Sequence, residues 1–143
     1  MKFIITAQPG PDSPRPDPNA PFDEALFTAY MKYNEEMYRA GVLVAAEGLN
    51  PAGTGARIAV KKGRRTVVDG PFTESKELVG GFYIVEVPTL EDAVGWALRS
   101  PSGLGFDDVL EIRPLTGEGD LPPHLLELIK AAAPTWSTTF VKK

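Results

Sequence analysis

The chain has no cysteine among its 143 residues, and that single absence removes disulfide frameworks, thiolate zinc sites and cysteine nucleophiles together. Histidine is nearly as scarce. One copy, His124, allows no histidine cluster within a chain, so neither a metal site nor histidine-pair chemistry is expected. Long apolar runs are missing too: only about five apolar or small residues stand between Lys2 and Pro9, too few for a secretion signal and far too few to span a bilayer. No membrane association and a cytoplasmic location are therefore expected. Nor is there an excess of positive charge. Fifteen Lys and Arg face nineteen Asp and Glu, a net charge of −4, which argues against a general nucleic-acid binder.

What is present is the composition of a globular domain, with 43% hydrophobic and 24% charged residues. The length suits a single core. One domain over residues 1–115 and a C-terminal extension over 116–143 are expected.

Lys2 to Ala7 reads as a first strand, with Phe3, Ile4 and Ile5 placing apolar groups on both faces. From Gln8 to Pro21 six of fourteen residues are proline, so missing N–H donors and fixed φ angles leave a stiff, extended loop with the composition of a surface flap. A helix is expected from the N-cap Asp23 to a C-cap at Gly41, with Phe22 and Phe27 at the spacing of a hydrophobic staple. Leu26, Tyr30, Tyr33 and Met37, joined by Phe27, Met31 and Tyr38, form its apolar side, which is expected to pack against a sheet rather than to wall a ligand.

Val42 to about Gly48 and Arg57 to Val60 read as strands, Lys61 to Arg65 as a cationic hairpin tip, and Thr66 to Asp69 as its return. Gly53-Thr54-Gly55 is no dinucleotide fingerprint, because no helix follows and the third glycine is missing. Gly81 to Val87 is the most apolar strand, with Phe82 and Ile84 pointing one way and Tyr83, Val85 and Val87 the other. Thr89 and Asp92 carry the capping pattern of a second helix, whose buried stripe is expected to be Leu90, Ala93, Val94, Ala97 and Leu98. Val109 to Pro114 is a last strand. A short helix is expected around Pro123 to Ala133, stopped by Pro134.

This order predicts an α+β chain of ferredoxin-like, split β-α-β type with an inserted hairpin. Right-handed crossovers place both helices on one face of the sheet. Yet Ile4, Leu43, Val44, Tyr83, Val85 and Ile112 supply apolar groups to both faces, and a second copy is the simplest cover for the other one. A homodimer is expected.

The runs YNEEMYRAGVLVAAEGLNPAGTGARI, Asp69-Gly70-Pro71-Phe72-Thr73-Glu74-Ser75-Lys76-Glu77, Gly80-Gly81-Phe82-Tyr83 and Glu111-Ile112-Arg113-Pro114 occur in this order. Together they resemble the YCII-related family, specifically its DGPF subgroup, over residues 1 to about 115. The resemblance implies a dimeric α/β barrel of ferredoxin-like subunits. Some YCII-like proteins resemble lyases or dehydrochlorinases that use a His and Asp pair near the first helix and second strand. This chain departs from that pattern, since no histidine precedes His124.

Acid-base chemistry here falls to carboxylates or tyrosine. Asp69-Gly70-Pro71 is first of all turn chemistry. As a functional alternative, Asp69 and Glu47, each at a strand end, are the candidate catalytic bases, pointing into a cleft under the Pro-rich flap where loss of water would raise a carboxyl pKa. Arg57, Phe72, Glu74, Lys76 and Tyr83 are the candidate ligand contacts. No cofactor and no metal is expected. The function expected is a cofactor-independent enzyme on a small organic molecule, the alternative a non-catalytic module that binds a metabolite or a protein.

Overall fold

The computed structural model describes residues 1–10, 23–50, 55–69, 80–102 and 108–141. Most of the Pro-rich segment, Phe22 of the expected staple and the whole run from Gly70 to Val79 lie outside them. In chain order the elements are β1 (Lys2–Pro9), α1 (Glu24–Arg39), β2 (Leu43–Gly48), β3 (Ala56–Lys61), β4 (Arg64–Asp69), β5 (Gly81–Glu86), α2 (Leu90–Ala97), β6 (Asp108–Pro114), α3 (Pro123–Ala132) and α4 (Ser137–Phe140).

Four strands form an antiparallel sheet in the order β2-β5-β1-β6. β1 and β2, joined through α1, are separated by β5; β5 and β6, joined through α2, are separated by β1. That is the split β-α-β arrangement. Strand alternation then sorts the side chains. Phe3, Ile5 and Val85 face the helices, and with Val87, Tyr33, Met37, Ala93 and Ala97 they make one buried core. Ile4, Thr6, Phe82 and Ile84 fall on the opposite face by the same register.

The helix ends follow from short local bonds. Asp23 accepts from the Leu26 N–H at 3.0 Å to start α1. At the other end the Gly41 N–H donates to the Tyr38 carbonyl and the Val42 N–H to the Met37 carbonyl, the paired closure of a Schellman motif. Its left-handed position, φ +76°, falls on Gly41, one residue beyond the cap Ala40. Thr89 Oγ1 accepts from the Asp92 N–H at 3.1 Å and donates to Asp92 Oδ2 at 2.8 Å, fixing the start of α2.

β3 and β4 pair with each other as a separate two-stranded sheet. Lys62 and Gly63 join them with φ values of 50° and 78°, both positive as a two-residue type I′ turn demands.

Three sequence expectations need correction. β1 continues past Ala7 to Pro9, because pairing with β6 runs on to Pro9 and Asp108 and a proline is tolerated at a strand end. The stripe of α2 is turned: Ala93 and Ala97 are buried with Trp96 packed on the core, while Leu90, Val94 and Leu98 are exposed. Only one ridge of a helix can meet the sheet, and the alanine ridge admits the closest approach. Finally, Phe27, Met31 and Tyr38 are exposed at 50%, 43% and 70%, so the apolar side of α1 is not all core.

The chain after β6 begins with the Leu115 N–H on the Lys2 carbonyl at 2.8 Å. α3 starts at a proline, which suits a first helical position. Trp136 and Phe140 stack at 5.4 Å across α4. No helix among the described residues is long and apolar enough to cross a membrane.

Candidate functional site

α1 presents two adjacent ridges. Tyr33 and Met37 enter the core, while Phe27, Tyr30, Met31 and Asn34, spaced i, i+3, i+4 and i+7, overhang the end of the sheet. Beneath them lie the ends of β1 and β2 and the starts of β5 and β6. The space between is a cleft of about 470 Å³ lined also by Ala7, Gln8, Ala46, Glu47, Gly81, Phe82, Tyr83 and Asp108.

The floor is tightly drawn. The Gly80 N–H donates to the Ala7 carbonyl at 2.9 Å and the Leu49 N–H to the Gly80 carbonyl at 3.0 Å. A Cβ on Gly81 would lie 3.0 Å from the Glu47 carbonyl oxygen, so the close approach of β5 to β2 requires glycine there.

Three tyrosines meet at this end of the molecule. Tyr83 packs edge-on to Tyr33, ring centroids 5.6 Å apart at 84°. Burial, with smaller contributions from Tyr30 and Tyr33, pushes the Tyr83 phenol well above its ordinary range, so its O–H keeps its proton. The Tyr30 hydroxyl is held by Ser102 Oγ at 3.0 Å, which in turn meets Ser100 Oγ at 2.9 Å. Tyr33 donates to the Trp96 carbonyl and thereby ties α1 to α2. Asn34 Oδ1 is enclosed and has no hydrogen-bond partner among the described residues.

Of the residues expected from the sequence, Glu47 and Tyr83 line the cleft. They do so differently. Register pairs Ala46 with Tyr83 and Glu47 with Phe82, so alternation turns Tyr83 toward the helices and the exposed Glu47 side chain, with Phe82, toward the other face of the sheet, at the strand end that borders the cleft. Arg57 lies on β3 in the hairpin sheet, away from the described lining. Asp69 closes the base of that hairpin opposite Ala56, and its side chain is outside the described residues. Phe72, Glu74 and Lys76 lie outside them entirely. No group of three or more metal-ligating side chains occurs among the described residues.

Asn34, Tyr30 and Gln8 were not expected at a site. The ridge that carries the first two is visible in the sequence as a second helical series beside the core series. Periodicity alone does not say which of two adjacent series meets the sheet and which overhangs its end.

A model of the YCII-related domain matches residues 1–116. An uncharacterised protein of Rhizobium meliloti (strain 1021) is 29% identical over 102 residues, 70% of this chain and 82% of that protein. Among solved structures, 5-chloro-2-hydroxyhydroquinone dehydrochlorinase from Burkholderia phenoliruptrix AC1100, in complex with 2,5-dihydroxybenzoquinone, is 16% identical, covering 85% of this chain and 100% of that one with a TM-score of 0.39. A likeness that distant carries no inference about chemistry.

Proposed function

We propose that this chain, which belongs to the YCII-related domain family, is a cofactor-independent enzyme that moves a proton on a small organic molecule held in the cleft beneath α1. The observation that carries this is the position of Tyr83, a half-buried phenol that stays protonated and faces a cavity of ligand size walled by Phe27, Tyr30 and Met31. A protonated phenol in a site drier than water stabilises charge developing on a substrate oxygen. Glu47, on the strand end that borders the cleft, is the proposed base. A lyase or dehydrochlorinase-like elimination needs these two roles, one group to remove a proton and one to receive developing charge. Asp69 is the alternative base, with Arg57, Phe72, Glu74 and Lys76 as proposed ligand contacts. The run Asp69-Gly70-Pro71-Phe72 favours the DGPF subgroup.

The test is a thermal-shift screen of small oxygenated and halogenated organics, followed by turnover of each hit. Glu47→Gln and Tyr83→Phe are each expected to lower turnover about 100-fold while the unfolding midpoint stays close to that of the parent. If Asp69→Asn alone abolishes turnover, the base is Asp69 and the role given to Glu47 is wrong. A second reading, a binding module without turnover, is favoured by the exposure of Glu47, since a base open to water gains little from the cleft. Hits that bind all three variants and never react select it.

For the assembly we propose a homodimer closing a dimeric α/β barrel through the sheet face away from the helices. Ile4, Ala45, Phe82 and Ile84 are only half-buried, and Val109 is exposed, on strands whose opposite face is core. Equilibrium sedimentation at high micromolar concentration is expected to give twice the chain mass, and Ile84→Lys half of that. A parent chain that sediments as a monomer overturns the barrel.

A further inference from the structure

The β3–β4 hairpin is left uncovered by the rest of the described chain. It pairs with no other strand, and every residue from Gly55 to Val68 is exposed. A lone two-stranded hairpin is only marginally stable in water. Register and alternation give this one an apolar face: Ile58 stands opposite Val67 and Val60 opposite Arg65, and the three aliphatic side chains are 63%, 64% and 63% exposed in chain order.

Charge limits what can cover that face. Residues 55–69 hold five of the fifteen basic side chains and one of the nineteen acidic ones, a net charge of +4 that leaves −8 on the rest of the chain. Lys61, Lys62, Arg64 and Arg65 crowd the tip, and none has an ion-pair partner among the described residues. Two such tips repel each other. A nucleic acid is repelled by the acidic remainder and makes no use of three aliphatic side chains. The surface that fits is both apolar and acidic. The uncovered face of the four-stranded sheet has that character at its cleft end. Register aligns Glu47, Phe82, Thr6 and Glu111 in one row across β2, β5, β1 and β6, and Ala45, Ile84, Ile4 and Arg113 in the next. Glu47 and Glu111 are exposed, one on each edge strand, and the Gln8 amide donates to Glu111 at 3.4 Å. Strands of six residues reach about 20 Å and four paired strands span about 15 Å, so the hairpin is long enough to cross the sheet.

We propose that the β3–β4 hairpin is an intermolecular arm whose Ile58, Val60 and Val67 face seats on the Phe82 end of the sheet of a second copy, with Arg65 against Glu111 on the edge. This rests on the sheet-face homodimer proposed above and adds a contact to it. An arm seated there brings side chains of a second copy to the strand end that carries Glu47, so that end of the cleft is shared between two chains.

Exchanging charge between two variants tests the arm, since mixing restores only a contact made between chains. Arg65→Glu and Glu111→Arg are each expected to weaken dimerisation at least about tenfold in equilibrium sedimentation, because each homodimer carries two like-charge contacts. Mixed in equal amounts they are expected to regain the parent's affinity, because both contacts of the mixed dimer are again opposite in charge. Ile58→Thr combined with Val67→Thr keeps β-branched residues in the hairpin while removing apolar area, and is expected to weaken dimerisation by at least about tenfold as well. Should that variant lose the hairpin, the charge exchange carries the test, since both of its positions are exposed.

The failures are distinct. Arm variants that dimerise as the parent does, while Ile84→Lys is monomeric, overturn the arm and leave the barrel. A mixture no tighter than its components overturns the contact between Arg65 and Glu111. A monomeric parent overturns arm and barrel together. A DNA duplex bound through Arg65 by a parent whose dimerisation does not need the arm gives the cations to nucleic acid and overturns the proposal.

Discussion

Phe3→Ala is expected to destabilise the fold by about 3–5 kcal/mol, a large share of the roughly 5–15 kcal/mol that holds a typical domain together. Phe3 is 1% exposed and among the largest fully buried side chains. It sits on a central strand, opposite Val85 on one side and Pro114 on the other, so removing its ring opens a cavity that two strands border and neither can move alone to fill. Ile4, the next residue, points to the other face and is only half-buried; Ile4→Ala is expected to cost less than half as much. Urea unfolding followed by circular dichroism measures both, with an unchanged slope showing that the difference is stability and not denatured-state compactness. At a chain concentration too low for the proposed dimer, equal losses at the two positions would contradict the assignment of faces on which core and cleft both depend.

Alkaline pH is expected to weaken the protein through Tyr33. Burial raises this phenol from 10.0 to about 12, against the opposing pull of the Arg99 charge. The folded chain favours the neutral form, so the stabilisation is complete below pH 10 and is lost as pH rises through about 12. Tyr83 shifts in the same direction and for the same first reason, burial. Unfolding free energies collected from neutral pH into this range are expected to fall for the parent and to fall less for Tyr33→Phe. That variant starts lower, because its ring no longer donates to the Trp96 carbonyl, a loss of about 1 kcal/mol. Parallel pH curves for the two proteins would mean that Tyr33 titrates alike folded and unfolded, and that the packing of α1 on α2 leaves it wetter than described.

The elements that the sequence made legible are those whose signals are local. Asp23, Gly41, Thr89 and Asp92 act on backbone groups within four residues, so both ends of α1 and the start of α2 could be placed, with only the cap label at Gly41 moving by one position. Alternation in β5 likewise told Tyr83 and Val85 from Phe82 and Ile84. Where two apolar series lay side by side on one helix, locality gave no answer. Leu90, Val94 and Leu98 have the right spacing for a core, and so do Ala93 and Ala97; the sheet accepts the ridge that lets the backbones approach, and the larger residues are left outside. On α1 the same ambiguity concealed the cleft, because Phe27, Tyr30, Met31 and Asn34 differ from Tyr33 and Met37 only in lying where the strands have already ended.

By itself the sequence determined the type and order of the elements, their caps and turns, and the exclusion of thiol and histidine-cluster chemistry, since each of these depends on residue identity and on neighbours a turn or a strand away. The tertiary structure alone decided that the second ridge of α1 overhangs the sheet end, that burial raises the Tyr83 phenol there, that the Glu47 side chain stays exposed, and that Asn34 Oδ1 is enclosed without a partner among the described residues. Those are consequences of where water is shut out, and the exclusion of water depends on segments that are distant in the chain and adjacent only when folded.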